Sequence, residues 1–239
     1  SQITGPNKIV FSLGAMVLII IAFYGFINIF QSEKAKGKII SALVAAVGIG
    51  CVYAVYQSMP ETISITPQIF QQFNPFFIIV LTPLSVGLFT WLAARGKEPS
   101  APRKIGIGML IAAAGFVIMS IGSIGLLTPN QLAATGGMNE TLVSPDLLIG
   151  TYFTLTIAEL FLSPMGLSFV SRVAPPKYKG MMQGGWLAAT ALGNYLVAII
   201  GYLWGGMQLW MLWGVLVVCC LLAAAFIFSI MKRLEKVAK

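Results

Sequence analysis

Residues 207–231 read MQLWMLWGVLVVCCLLAAAFIFSIM, a run without one charge, and Lys232 and Arg233 follow it directly. About twenty apolar residues in a helix cross a bilayer core, so this run is long enough to span one. Six more runs of the same kind precede it, near 9–30, 39–58, 74–94, 105–127, 147–171 and 181–204. Lipid cannot hydrogen-bond an exposed backbone, which leaves only helices or the strands of a closed barrel. Barrel strands alternate apolar and polar residues, and these runs do not. The breaks carry turn chemistry: Gly37, Pro60 and Pro67, Pro99 and Pro102, Pro129, Pro175-Pro176 and Gly205-Gly206. The reading is an all-α integral membrane protein with seven spans.

Composition agrees. Apolar residues make up 58% of the chain, charged residues 9%, and the mean hydropathy is +0.89. A soluble domain carries roughly a quarter charged residues to keep its surface wet. Cys51, Cys219 and Cys220 lie inside apolar runs without metal-ligand spacing, and read as small apolar helix residues. With no histidine, zinc, haem and histidine-relay chemistry are not expected, and proton chemistry would run through a carboxylate. There is no phosphate-binding loop, no catalytic triad and no paired carboxylates. Neither an enzyme nor a cofactor or metal site is expected.

The fifteen basic residues fix an orientation. Lys34, Lys36 and Lys38 follow the first span, and Arg95, Lys97, Arg103 and Lys104 the third. Arg172, Lys177 and Lys179 follow the fifth, and Lys232, Arg233, Lys236 and Lys239 the seventh. Only Lys8 falls on the other side, whose loops carry Glu61, Glu140 and Asp146. The positive-inside rule makes the basic side cytoplasmic, with the C-terminus there. A net charge of +8 placed this way is topogenic, so no nucleic-acid partner is expected. The chain starts without Met, before a span that begins outside, and an odd span number then points to missing upstream chain.

Of seven acidic residues, Glu159 alone sits mid-span. A charge at the bilayer centre is costly, so such a carboxylate faces a cavity, pairs or is protonated, and is functional by default. Tyr152, Thr156, Ser163 and Gly166 fall at helical spacing from it. Pro164 cannot donate to the carbonyl of Leu160, which would open the helix one turn beyond Glu159. The sixth span carries Gln183, Trp186, Thr190 and Asn194 on one face, among glycines that allow close packing. Asn74-Pro75 opens the third span and reads equally as a helix cap. Tyr53 and Gln57 are one turn apart, with Tyr56 beside them, and an interfacial aromatic belt explains the tyrosines as well as a pocket does.

The stretch Glu159-Leu-Phe-Leu-Ser163-Pro164-Met-Gly166-Leu167-Ser168 resembles a known family. With Ala174-Pro175, Gly180-Met181-Met182, Gly185-Trp186 and Gly193-Asn194, it is similar to the tenth-to-eleventh helix signature of the proton-dependent oligopeptide transporters, in the major facilitator superfamily. Asn74-Pro75 resembles the start of the family's eighth helix, and residues 87–104 its eighth-to-ninth helix turn. The likeness covers about residues 37–232. It implies a C-terminal six-helix bundle, helices seven to twelve, over residues 37–239. Residues 1–36 would be the second helix of the extra hairpin that bacterial members carry between their halves, which accounts for the odd number.

By position, the resemblance implies that Glu159 meets the peptide's amino terminus, that Asn74 is a pocket asparagine and that Trp186 is a pocket wall. Ser163 lines the site, while Pro164 and Gly166 belong to a hinge. The chain departs from the family in helix seven, where F-W-x-x-x-E-Q is usual. Tyr53 stands for the pocket Trp and Gln57 for the coupling Glu, and a Gln cannot carry a proton. The family's E-x-x-E-R-F motif belongs to helix one, which this chain does not contain. The implied function is the C-terminal half of a proton-coupled di- and tripeptide symporter of the bacterial inner membrane, working by alternating access with its N-terminal half. Another facilitator-type carrier, for organic anions, nitrate or drugs, is the first alternative, and a membrane scaffold without substrate the second.

Overall fold

The computed structural model describes residues 2–64, 67–136 and 143–237; Glu140 and Lys239 lie outside these. Its helices are α1 (Leu13–Gln31), α2 (Ala35–Ser58), α3 (Phe73–Ala94), α4 (Ala101–Gly122), α5 (Pro129–Ala134), α6 (Pro145–Val173), α7 (Lys179–Leu203) and α8 (Leu209–Val237). Among the described residues, seven are long and apolar enough to cross a membrane, all but the short α5. Many large apolar side chains on them face outward, Phe30, Ile49, Leu187 and Phe226 among them, as expected where lipid is the solvent.

The boundaries sharpen for local reasons. Residues 5–11 form a 3-10 helix, and α1 starts only after Ser12, whose Oγ accepts from the Ala15 amide at 3.4 Å. Pro102 is no break: it sits in the first turn of α4, where its missing N–H costs nothing. The α5 turn, closed by a capping box between Thr128 and Gln131, falls in a stretch read from sequence as loop. A two-stranded antiparallel ladder, β1 (Gln2–Thr4) with β2 (Thr62–Ser64), was also not expected.

By packing, the chain divides into two compact units, Ser1–Leu84 and Ser85–Lys239. In the first unit, α1 and α2 form a hairpin across the short turn at residues 32–34. A Cβ on Gly25 would come within 2.9 Å of the Ala45 amide nitrogen, and one on Gly48 within 2.9 Å of the Ala22 Cβ. Ala22 and Gly25 on α1 thus interlock with Ala45 and Gly48 on α2. Without a hydrophobic drive between helices in lipid, such small-residue pairs supply the close contact that holds them.

The same hairpin reaches α3. Pro83 lies inside α3 and cannot donate to the carbonyl of Ile79. The Tyr24 hydroxyl of α1 donates to that carbonyl instead, at 2.9 Å.

In the second unit, α4 lies against both α6 and α8. Gly108, Gly115 and Gly122, seven residues apart and so on one helix face, receive Phe161, Leu155 and Leu147 of α6. Gly106 faces the Phe228 ring of α8 at 2.9 Å from a Cβ position. The Ser120 hydroxyl donates to the carbonyl of Trp210 at 2.7 Å, and Phe116 stacks on Trp213.

Candidate functional site

In the first unit, Tyr53 and Gln57 come together on an exposed face of α2. The Gln57 Nε2 donates to the Tyr53 hydroxyl at 2.9 Å, so the pair is linked and uncharged. Tyr56 points elsewhere. Its ring lies 5.2 Å under the Lys8 ammonium, which also donates to the carbonyl of Pro60 at 2.8 Å. Lys8 is therefore only 7% exposed and spent on holding the end of α2. Asn74 is the second residue of α3, half-buried. Its neighbour Phe73 is fully buried against Phe11, with ring centroids 5.6 Å apart, and Phe11 makes the same approach to Phe70. This aromatic cluster fixes the backbone from which Asn74 projects.

In the second unit, Glu159 sits midway along α6 and is exposed, while Thr156, Ala158 and Leu160 around it are buried. Ser163 and Pro164, one turn on, are exposed as well. The helix continues through Pro164 to Val173, although Pro164 has no N–H to give the carbonyl of Leu160. The polar stripe inferred around Glu159 splits. Thr156 is buried and its hydroxyl donates to the Tyr152 carbonyl at 2.7 Å, so it belongs to the packing.

Gly166 is buried because the Trp186 indole of α7 lies on it; a Cβ there would overlap the ring. Gly166 is seven residues from Glu159, hence on the same helix face and about 10 Å further along the axis. Trp186 therefore covers the continuation of the face that bears Glu159. Thr190 gives its hydroxyl to the Trp186 carbonyl at 3.0 Å, leaving Gln183 and Asn194 as the side-chain amides of that stripe. Among the described residues no group of three or more Cys, Asp or Glu could hold a metal ion.

Sequence reasoning missed Tyr24, Pro83 and the burial of Lys8. Pro83 was the available signal, since a proline within a span implies a carbonyl in need of a donor.

A family model described as the POT family (PTR2) matches residues 49–205. The chain is 28% identical over 186 residues to Peptide transporter YePEPT of Yersinia enterocolitica, covering 72% of this chain and 35% of that protein. It is 26% identical over 214 residues to Dipeptide and tripeptide permease B of Edwardsiella piscicida, covering 80% of this chain and 40% of the permease. Among solved structures, a mutant of the peptide transporter POT in complex with alafosfalin matches with a TM-score of 0.62 at 23% identity, over 93% of this chain and 41% of that one. A POT family transporter in complex with a thioalcohol-conjugated peptide matches with a TM-score of 0.55 at 21% identity, over 92% and 41%. The chain thus spans well under half of these relatives, and the structural likeness speaks to the fold.

Proposed function

The chain belongs to the POT family, its fold is that of the facilitator-type transporters of this family, and from that premise we propose that it forms the C-terminal half of a proton-coupled di- and tripeptide symporter. Residues 37–239 would supply helices seven to twelve, and residues 1–36 the second helix of the hairpin between the halves. The names of the relatives, a peptide transporter and a dipeptide and tripeptide permease, support the substrate class. The alternation of basic loops supports a cytoplasmic C-terminus, and the bacterial origin of the relatives supports an inner-membrane placement.

Glu159 carries the reading. A carboxylate midway along a span, exposed among buried neighbours, is costly unless it meets a cation or a proton. A peptide's ammonium group is such a cation. In this mechanism Glu159 pairs with the amino terminus, while the family resemblance alone gives Asn74 the role of a pocket asparagine. Trp186, seated on Gly166, forms an apolar wall beside Ser163, and the resemblance alone assigns Tyr53 and Gln57 to the substrate site. Substrate near the midplane of a repeat-built carrier is exposed alternately as the halves rock. Pro164, with its carbonyl defect at Leu160, is where α6 would bend.

Binding tests this directly. The full-length protein in detergent is titrated with dialanine by calorimetry, alongside Glu159→Gln and an N-acetylated dialanine that lacks the ammonium. Glu159→Gln is expected to weaken dialanine by more than tenfold and to erase the preference over the acetylated form. Equal affinity of the wild type for both forms would sink the role of Glu159.

The second reading, a facilitator for another solute, has one observation in its favour. The Tyr53–Gln57 pair is uncharged where the family usually has Trp and Glu, so proton exchange cannot run through that position. A thermal-shift screen of peptides against nitrate and organic anions separates the two readings.

A further inference from the structure

The end of the second unit where α3 closes and α4 opens carries far more positive than negative charge. Both carboxylates there are already engaged. Glu98 pairs with Lys104, whose buried ammonium lies 4.0 Å from the centroid of the Phe89 ring. Glu235, near the end of α8, accepts from Arg103 Nε at 2.6 Å and from the Ser100 hydroxyl at 2.6 Å. That hydroxyl belongs to the N-cap residue of α4 and makes no cap hydrogen bond, being committed to α8 instead. The clamp docks the last turns of α8 beside the α3–α4 connection. Arg95, Lys97, Lys232, Arg233 and Lys236 are thereby gathered at one end, all exposed and, among the described residues, none paired with a carboxylate.

One of these cations is held in place. The Arg95 guanidinium stacks 3.8 Å from the centre of the Trp91 ring. A planar guanidinium fixed on an aromatic face loses little further freedom on meeting a phosphate. Trp91 is 50% exposed, and Leu88, one turn earlier on the same face of α3, is 46% exposed. An apolar track along a span thus ends in an aromatic ring, a stacked guanidinium and a group of free ammoniums.

The geometry points to an anionic phospholipid as the ligand of this surface, its phosphate on Arg95 and Lys97 and an acyl chain along Trp91 and Leu88. Charge selects an anion, and the apolar track selects an amphiphile over a soluble phosphate. Basic clusters at span ends attract anionic headgroups by about 1 kcal/mol per Lys or Arg, which corresponds to about fivefold in affinity per charge. The inference is independent of what is transported.

The test is lipid retention by the full-length protein, purified in neutral detergent and incubated with phosphatidylglycerol or phosphatidylcholine, read by native mass spectrometry. Phosphatidylglycerol is expected to be retained in preference, and Arg95→Gln to weaken it about fivefold. Combined Arg95→Gln, Lys97→Gln and Arg233→Gln should weaken it about a hundredfold. Lys36→Gln with Lys38→Gln, which removes charge from the first turn of α2, should leave retention at this surface unchanged. Equal retention of the two lipids, or an unchanged triple variant, would overturn the inference. So would equal losses from the Lys36 and Lys38 pair, or displacement by glycerol 3-phosphate, which has the phosphate without the chains. Should the triple variant melt early in phosphatidylcholine, Arg95→Gln alone decides on the same criterion.

Discussion

The Tyr24 hydroxyl donates to the carbonyl of Ile79 at 2.9 Å, and that carbonyl is the one Pro83 deprives of its helical partner. One turn of α3 is doubly weakened, because the adjacent Thr82 hydroxyl also turns back onto the Ile78 carbonyl at 2.5 Å. A hydrogen bond from α1 thus repairs a backbone defect in α3.

Tyr24→Phe should therefore destabilise the protein by about 1 kcal/mol, the net worth of one hydrogen bond between membrane helices. Pro83→Ala restores the N–H that Ile79 lacks, so in that background the same change should cost much less. A double-mutant cycle on thermal melts of the full-length protein checks this. Equal losses in both backgrounds would show that the hydroxyl does not answer the proline.

The α1–α2 hairpin rests on contact too close for any side chain. Gly48→Ala puts a methyl 2.9 Å from the Ala22 Cβ and should destabilise by about 1–3 kcal/mol through overpacking. Gly50→Ala, two residues away with nothing within 4 Å of its Cβ position, should be neutral or slightly stabilising, since alanine favours helix. Melting temperatures of the two variants side by side decide it.

Gly166→Ala should push the Trp186 indole off α6 and weaken dipeptide binding. Gly184→Ala, on the same helix as Trp186 but with open space at its Cβ position, should leave binding as it is. Calorimetric titration with dialanine reads both. A Gly166→Ala protein that binds normally would remove Trp186 from the site wall.

Gln57→Glu would place an ionisable group where the family usually carries one. If Gln57 limits coupling, dipeptide uptake by this variant should depend more steeply on an imposed pH gradient than wild-type uptake does. Identical gradient dependence would mean that coupling does not pass through position 57.

The spans were legible because each is a long apolar run, and length with continuity is the strongest signal that a sequence gives about a bilayer. Their ends were less so. Pro102 reads as a breaker from sequence, yet at a helix start proline is well suited, and only the position decides. Glu159 was legible for the same reason as the spans: one carboxylate stands out against an apolar background. Its stripe was not. Helical spacing puts Thr156 and Gly166 on its face, but spacing does not reveal that Thr156 bonds backward or that an indole from α7 covers Gly166. Lys8 reads as a loop charge, and its burial depends on contacts with Tyr56 and Pro60, about fifty residues away in sequence.

The most direct test of the central claim is uptake of labelled dialanine into proteoliposomes containing the full-length protein, with and without an inward proton gradient. Wild-type protein is expected to accumulate the dipeptide when the gradient is present and only to equilibrate it when the gradient is absent, and Glu159→Gln to reduce accumulation by more than tenfold. No uptake of dialanine would contradict the substrate assignment. Equal uptake without the gradient would contradict the coupling, and full activity of Glu159→Gln would contradict the site.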